Sequence, residues 1–466
     1  MKEDSEFYYN PEEAMEIVQK YEDMLRHNRS FFFDVVDFEN IIDYYISSDD
    51  SQRASEAVDI AYNMHPYSSE IQMKKAELLV LDKKYAEALD ILKVLVKIEP
   101  ENSEIHYLKG QSHLALGDQK SAHESFWYAT NSYSEDKVDL LYRIASLYQD
   151  IDEDNYALRY LLYAHSLNRR ALGVLFELGF CYERLGDLQK SEEYYNLYLD
   201  INPFSTSVWY NLGIVHTRKG EFAKALEAYD FALAVDPVNA SALHNQANTY
   251  ATIEKYAEAA ESFVELLKYE PENPRIFASI GECFEKLGQF DKAFEMYHKC
   301  LEFDADYADA YFGMGVAHLK QEQLTQALDS MKKTISIEPD NYDYWLGLAK
   351  VLFEMGSDKE AMEAYREASS LNPDEPDAYI GIAELLLFEE KFVSVEELYH
   401  EVNEKFSDNS ALKVLYAAAL YLQRKSKLAL TVLKQAKKLN VFAVDEFFAV
   451  VSIIDDPKFL QQLKSI

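Results

Sequence analysis

The chain has 466 residues, of which 48% are apolar, enough to build a substantial core and too many for a largely disordered protein. Its 82 acidic and 46 basic residues give a formal net charge of −36, which disfavours nucleic acid and anionic membranes as partners and favours basic proteins. Three cysteines without a CxxC pair argue against a disulfide framework, and no apolar run is long enough to cross a bilayer. Because the sequence also starts without a signal-peptide pattern, we expect a cytoplasmic protein.

The first predicted element is an amphipathic helix from Pro11 to Asn28. Five apolar residues share one side of it: Ala14, Ile17, Val18, Tyr21 and Leu25. We expect this helix to cap a larger helical array, and three aromatic residues to fill the joint after it: Phe31, Phe32 and Phe33. Docking of a partner protein is the alternative role for the helix.

An internal repeat is visible in the spacing of the prolines. Neighbouring members of one set are separated by 34 residues or by a near multiple of 34: Pro66, Pro100, Pro203, Pro237, Pro271, Pro339 and Pro373. Such a period indicates a repeat architecture rather than separate globular domains.

One unit, residues 206–239, shows the elements that each repeat contains. Apolar residues recur at helical spacing in residues 208–217 and 222–235. Gly220 lies between these stretches and suits the left-handed backbone at the end of a helix, whereas Pro237 ends the second stretch. The unit is therefore predicted to be a helical hairpin.

This unit resembles the tetratricopeptide repeat, whose pattern is W-x2-L-G-x2-Y, then A-x3-F, then P. The matching residues are Trp209, Leu212, Gly213, Ala225, Tyr229, Ala232 and Pro237, with His216 in place of the pattern's Tyr. Glycines recur both on the first helix and in the turn of several units, where the resemblance implies close helix crossing and tight reversal. The fold implied is all-α, a right-handed α-solenoid of about twelve hairpins with terminal capping helices.

The predicted division of the chain has three parts. Residues 1–34 form the N-terminal cap, residues 35–443 the repeats, and residues 444–466 the C-terminal capping helix and tail. The repeats are expected to start near Val35, Ser69, Ser103, Val138, Leu172, Thr206, Ala240, Pro274, Ala308, Tyr342, Pro376 and Ser410.

The resemblance also implies a binding groove lined by the first helices. In the middle of the chain, the groove positions are filled by aromatic, basic and amide side chains: Phe176, Phe180, Arg184, Tyr210, Asn211, Arg218, His244, Asn245 and Asn248. Aromatic rings give contact area at low entropic cost, and Asn can pair with a peptide backbone. The alternative is that these residues are consensus positions without a ligand.

Two further features invite a partner. Three glycines recur at one groove position and could leave a trough for close approach of a partner helix, or could simply relax helix packing: Gly313, Gly347 and Gly381. The last repeat is basic without any acidic residue and forms a candidate docking patch for an acidic partner or a second copy of the chain, unless it is only a solvated face. Its members are Lys413, Arg424, Lys425, Lys427, Lys434, Lys437 and Lys438.

No catalytic signature accompanies the repeats. The phosphate-binding loop, the dinucleotide fingerprint, the HExxH zinc helix and the GxSxG elbow are all absent from the sequence. We therefore expect no enzyme, no cofactor and no metal site, but a scaffold or adaptor that binds peptide segments or helices of partner proteins. A peptide- or ligand-gated regulator, or a non-catalytic subunit of an enzyme complex, is the alternative function.

Overall fold

The computed structural model describes residues 11–27, 31–48, 50–132, 136–451 and 457–463. Within these residues all regular secondary structure is α-helical, and the predicted all-α class is confirmed. The helices in chain order are α1 (Pro11–His27), α2 (Val35–Ser47), α3 (Ser51–Met64), α4 (Ser69–Leu81), α5 (Tyr85–Ile98), α6 (Ser103–Ala115), α7 (Gln119–Asn131), α8 (Lys137–Gln149), α9 (Asp154–Leu167), α10 (Leu172–Arg184), α11 (Leu188–Leu199), α12 (Thr206–Arg218), α13 (Phe222–Val235), α14 (Ala240–Thr252), α15 (Tyr256–Leu266), α16 (Pro274–Lys286), α17 (Phe290–Phe303), α18 (Ala308–Lys320), α19 (Leu324–Ile337), α20 (Tyr342–Glu354), α21 (Asp358–Leu371), α22 (Asp377–Phe388), α23 (Phe392–Val402), α24 (Ser410–Leu422), α25 (Ser426–Leu439), α26 (Ala443–Val450) and α27 (Pro457–Leu463).

The chain divides into two compact units, Met1–Glu221 and Phe222–Ile466. Even-numbered helices pair with the helix after them from α2 to α10 in the first unit and from α14 to α24 in the second, and within each unit successive pairs pack on one another along the chain. Several successive first helices also touch one another, as α2, α4, α6 and α8 do in the first unit and α16, α18, α20, α22 and α24 in the second. The first helices therefore form a continuous layer over these stretches.

Helix caps explain where the first helices begin. An asparagine immediately before the helix accepts a hydrogen bond from a backbone N–H of the first turn, which leaves fewer backbone donors unsatisfied. The asparagines that act in this way are Asn102, Asn239, Asn273, Asn341 and Asn409. The preceding loop is held by a side chain six residues after its proline: the indoles of Trp209 and Trp345 donate to the carbonyls of Pro203 and Pro339.

The turns inside the hairpins need a left-handed backbone. Five predicted turn glycines have φ between 71° and 82°, which confirms that part of the interpretation: Gly117, Gly186, Gly220, Gly288 and Gly356. Other turns place a non-glycine residue in the same conformation, with φ between 57° and 66°: Lys83, Asp152, Glu254, Glu322, Glu390 and Arg424. These positions carry backbone strain of about 1–2 kcal/mol each, which the hairpin packing offsets.

Close helix crossing accounts for the glycines of the first helices. A Cβ atom on Gly110, Gly179 or Gly281 would lie 2.4–2.6 Å from a ring atom on the second helix of the same hairpin. The rings belong to Phe126, Tyr195 and Tyr297, which are 0–1% exposed. Large side chains on the second helix thus fill the space that glycine leaves on the first.

The N-terminal helix α1 packs against α2 through a slightly different face from the predicted one. Val18 and Tyr21 are buried as expected, but Leu25 is 46% exposed and Met24 is buried in its place. Phe33 is fully buried against the Tyr21 ring, whereas Phe32 is 75% exposed. Leu25 is turned outward because the contact with α2 is made by the neighbouring helical row. Asn28 and the side chain of Ala14 lie outside the described part of the chain.

At the other end, α26 contacts α24 and α25, and α27 contacts α25. Phe447 and Phe459 place their rings against Tyr421, with centroids 6.0 and 4.5 Å from it. Residues 452–456, which include the last part of the predicted capping segment, lie outside the described residues. None of the described helices is both long and apolar enough to span a lipid bilayer.

Candidate functional site

In the first unit, the predicted groove residues lie on α10 and α12, which touch each other. Phe176, Phe180 and Tyr210 are half-buried, so each ring rests on the helix layer and leaves one part accessible. The Phe176 ring packs against Tyr195 and Tyr198 of α11, at centroid distances of 6.1 and 6.4 Å. These contacts fix the orientation of an aromatic side chain before any partner arrives, which lowers the entropic cost of binding.

Two arginines flank these rings and are already paired. The Arg184 guanidinium bonds to Asp152 and, at 2.8 Å, to Asp154, and its carbon lies 5.8 Å above the centre of the Phe180 ring. Arg218 donates to the carboxylate of Glu183 at 3.2 Å. Burial raises the pKa of Glu183, an effect that the charge of Arg218 opposes. Both arginines remain exposed, so they present a positive group held in place by a neighbouring carboxylate.

Asn211 has a structural partner that the sequence did not reveal. Its amide donates to the hydroxyl of Tyr195, sixteen residues earlier, at 3.2 Å. The Tyr195 side chain is fully buried, and this hydrogen bond satisfies its only polar atom. Asn211 therefore closes the packing between successive repeats, which limits its freedom to bind a peptide backbone.

In the second unit, the predicted groove residues lie on α14. His244 and Asn245 are half-buried, whereas Asn248 is exposed. The Asn248 amide approaches Nδ1 of His244 at 3.1 Å, and the His244 ring lies edge-on to Phe263, with centroids 6.1 Å apart. One face of α14 thus carries an imidazole and two amides, a set suited to hydrogen bonding rather than to ion pairing.

The glycines of the predicted trough each lie close to a side chain of the chain itself. A Cβ atom on Gly313 or Gly381 would lie 2.3 Å from an atom of Tyr297 or Tyr365, and one on Gly347 would lie 2.7 Å from the Phe312 ring. A side chain at each glycine would therefore collide with an aromatic ring of the chain itself. The structure favours the alternative, in which glycine makes room for internal packing.

The basic docking patch of the last repeat is smaller than predicted. Lys413 is 6% exposed, and its ammonium donates to the Tyr399 hydroxyl at 3.2 Å, because its position on α24 faces the preceding helix α23. Lys425 pairs with Glu396 at 2.7 Å. The exposed basic side chains that remain are Arg424, Lys425, Lys427, Lys434 and Lys438, with Lys437 half-buried.

One group in the described residues has the donor set of a cation site. Oxygen and nitrogen atoms of Glu192, His216 and Glu221 lie within 4.8 Å of one another. The Lys219 ammonium bonds to both carboxylates, at 3.1 Å in the case of Glu221, and Nδ1 of His216 lies 2.9 Å from Glu221. The cluster thus contains its own cation, and a metal ion would have to displace it.

Thiols and histidines show structural roles. All three cysteines are buried, and burial raises the pKa of each thiol to about 12, so none is a nucleophile at neutral pH. His216 and His318 each meet the residue five positions later, Glu221 at 2.9 Å and Gln323 at 2.7 Å, across the hairpin turn. His216 is buried, whereas His318 is half-buried.

Family models for the tetratricopeptide repeat match residues 172–205, 206–239, 240–273 and 318–385, and one described as a TPR repeat matches residues 284–322. No curated relative matches the chain in sequence.

Among solved structures, a tetratricopeptide repeat protein from Parabacteroides merdae is 20% identical, over 63% of this chain and 97% of its own, with a TM-score of 0.44. YrrB, described as a TPR protein with an unusual peptide-binding site, is 24% identical over 40% of this chain and 96% of its own, with a TM-score of 0.32. Yeast Tom70 is 13% identical over 98% of this chain and all of its own, with a TM-score of 0.47.

Proposed function

The chain is a tetratricopeptide repeat protein, and we propose that it acts as a scaffold that binds segments of partner proteins on the exposed face of its first helices. The observation that carries this proposal is the arrangement on α10 and α12. There, three half-buried aromatic rings lie beside two exposed arginines whose positions are fixed by ion pairs. Preoriented aromatic and arginine side chains are the groups that dominate binding energy at protein interfaces.

The chemistry of the described residues supports binding rather than catalysis. Tetratricopeptide repeats are typically non-catalytic, and the buried thiols and turn histidines of this chain have packing or hydrogen-bonding partners. Free, buried thiols also fit a reducing compartment such as the cytoplasm. With a net charge of −36, the chain attracts basic partner segments over distances near the Debye length.

We also infer that the repeats number about twelve and occupy residues 35–443, with residues 1–34 and 444–466 as terminal segments. The support is that first helices begin at, or one residue from, the starts expected from the period. The observed first residues are Val35, Ser69, Ser103, Lys137, Leu172, Thr206, Ala240, Pro274, Ala308, Tyr342, Asp377 and Ser410.

Affinity capture from the native cell tests the proposed surface. The double variant Phe180→Ala, Tyr210→Ala removes two rings of the face, while Trp127→Ala removes a 59% exposed ring from α7, a second helix of the same unit. We expect at least one protein to be captured by the wild type and by the Trp127 variant but lost with the double variant. Circular dichroism would check that all three baits are folded, and an identical set of captured proteins for all three would refute the assignment of the face.

A further inference from the structure

A cavity of about 340 Å³ lies between α16, α17 and α18 in the second unit. Charged, apolar and aromatic side chains line it. The residues that matter for its chemistry are Ala278 and Glu282 of α16, Tyr297 of α17, and Phe312, Gly313 and Val316 of α18. A volume of this size admits one long side chain of a partner rather than a whole helix.

The lining of the cavity contains an unsatisfied polar group. Tyr297 is 1% exposed, and its hydroxyl has no hydrogen-bond partner among the described residues. Tyr195 occupies the same repeat position on α11, and its hydroxyl accepts a hydrogen bond from Asn211, sixteen residues later. The residue sixteen positions after Tyr297 is Gly313, which has no side chain to donate. Since buried hydroxyls are nearly always bonded, this one indicates a donor or acceptor that an occupant of the cavity would supply.

Carboxylates surround that hydroxyl. Burial, together with the charges of Glu285, Glu282 and Asp309, raises the pKa of Tyr297, so the phenol stays neutral with an oxygen lone pair available. Glu285 is paired with Lys320, and Asp309 accepts from the Tyr344 hydroxyl at 2.6 Å. Glu282 is exposed and has no ion-pair partner among the described residues.

Two basic residues also border the cavity, but they lie at opposite ends of α16. Arg275 is in the first turn and Lys286 is the last residue, so about 16 Å of helix separates their backbones. Glu282 lies between them, on the part of α16 that also presents Ala278. Lys286 follows Glu282 by one helical turn but forms no ion pair with it among the described residues, so the Glu282 carboxylate is available to another cation.

We propose that this cavity binds a basic side chain, arginine or lysine, of a partner polypeptide. The methylene stem packs against Ala278, Phe312 and Val316, and the charged group bonds to the Glu282 carboxylate and to the Tyr297 hydroxyl oxygen. A ring face such as that of Phe312 further favours a cation over a neutral group. The inference rests on the proposed function, because it names the chemistry of a partner segment, but it uses residues remote in sequence from α10 and α12.

The test uses the full chain and fluorescein-labelled alanine–serine peptides that differ only at one central residue: arginine, lysine, glutamine or glutamate. Fluorescence anisotropy should show the arginine and lysine peptides binding on the order of tenfold more tightly than the glutamine peptide, with the difference falling as salt is added. Glu282→Gln should remove most of this selectivity. Glu302→Gln, an exposed change on α17 outside the cavity, should leave it intact.

Gly313→Asn supplies the side chain that Asn211 provides to Tyr195, and it should abolish binding of the arginine peptide by filling the cavity. Because that change needs the Tyr297 ring to move, Tyr297→Phe is the second variant; it removes only the hydroxyl and should weaken binding severalfold. Equal binding of the arginine and glutamine peptides, binding of neither, or unchanged selectivity in Glu282→Gln would overturn the proposal. If partner capture depends on Phe180 and Tyr210 but the peptides show no arginine selectivity, only the cavity proposal is refuted. If the peptides show arginine selectivity but capture does not depend on Phe180 and Tyr210, only the proposed face on α10 and α12 is refuted.

Discussion

Two tyrosines at equivalent repeat positions should respond in opposite ways to loss of the hydroxyl. Tyr297 is buried with an unpartnered hydroxyl, whereas Tyr195 receives a hydrogen bond from Asn211 at 3.2 Å. An unsatisfied buried polar group costs about 1–3 kcal/mol, and a satisfied one contributes about 1 kcal/mol. We therefore expect Tyr297→Phe to raise the free energy of unfolding and Tyr195→Phe to lower it.

The magnitude for Tyr297→Phe depends on two opposing effects. Removing the orphaned hydroxyl gains at least about 1 kcal/mol. The lost oxygen also gives up several van der Waals contacts of about 0.1–0.2 kcal/mol each. The net expectation is a stabilisation of about 1 kcal/mol, or roughly fivefold in the local folding equilibrium. For Tyr195→Phe we expect a loss of about 1 kcal/mol, so the two variants should differ by about 2 kcal/mol.

Urea unfolding monitored by circular dichroism measures both variants against the wild type. Because repeat arrays often unfold in stages, amide hydrogen exchange in α17 and α11 should accompany it and report the change locally. Slower exchange in α17 for Tyr297→Phe and faster exchange in α11 for Tyr195→Phe would support the reasoning. If both variants lose stability equally, then the Tyr297 hydroxyl has a partner and the contrast between the two sites is wrong.

Three further outcomes are expected from the structure. Gly288→Ala should lower the free energy of unfolding by about 1 kcal/mol, because φ is 71° there and nothing touches the added methyl. Glu322→Gly, at φ 60°, should not lower the free energy of unfolding, and the same change for both variants in urea titrations would contradict the strain argument. Lys413→Met should stabilise the chain by about 1 kcal/mol in the same assay, because it removes a buried ammonium whose bonded partner is the neutral Tyr399 hydroxyl. A clear decrease in the free energy of unfolding would mean that the charge of Lys413 is paired. The three thiols, whose pKa of about 12 in the folded chain lies above the usual 9.0, should resist a thiol reagent at neutral pH until the chain is denatured. Their contribution to the free energy of unfolding should be lost as pH rises from about 9 towards 12. Rapid modification of the folded chain would contradict their burial.

The helical hairpins were predictable from sequence because their determinants are local. The prolines, turn glycines and apolar spacing each act within one unit, and the 34-residue period locates the start of each repeat. The left-handed turn at Glu322 was harder to predict, because glutamate does not favour a positive φ. The backbone adopts this conformation because the turn has the same length as the turns that contain glycine.

The candidate site was less predictable because it depends on pairs of residues in adjacent repeats. Asn211 looked like a ligand for a peptide backbone, but its amide is used by Tyr195. Gly313 looked like part of an open trough, but a Cβ atom there would collide with the Tyr297 ring. The spacing of sixteen residues between these partners was a usable signal, because it identifies the residue of the next repeat that faces each tyrosine. Lys413 was misplaced because a charge count does not reveal which helix face a lysine occupies.

The bond from a tryptophan indole to the proline carbonyl six residues earlier has a mechanical consequence. Trp209 and Trp345 connect the loop between two hairpins to the start of the next first helix. Each of these junctions is therefore stabilised by a hydrogen bond between residues only six positions apart in the sequence. Under tension, such a chain should yield one hairpin at a time, and each released hairpin should find its place again without help from distant segments. The protein is therefore expected to lengthen stepwise under force and to regain its folded length when the force is released.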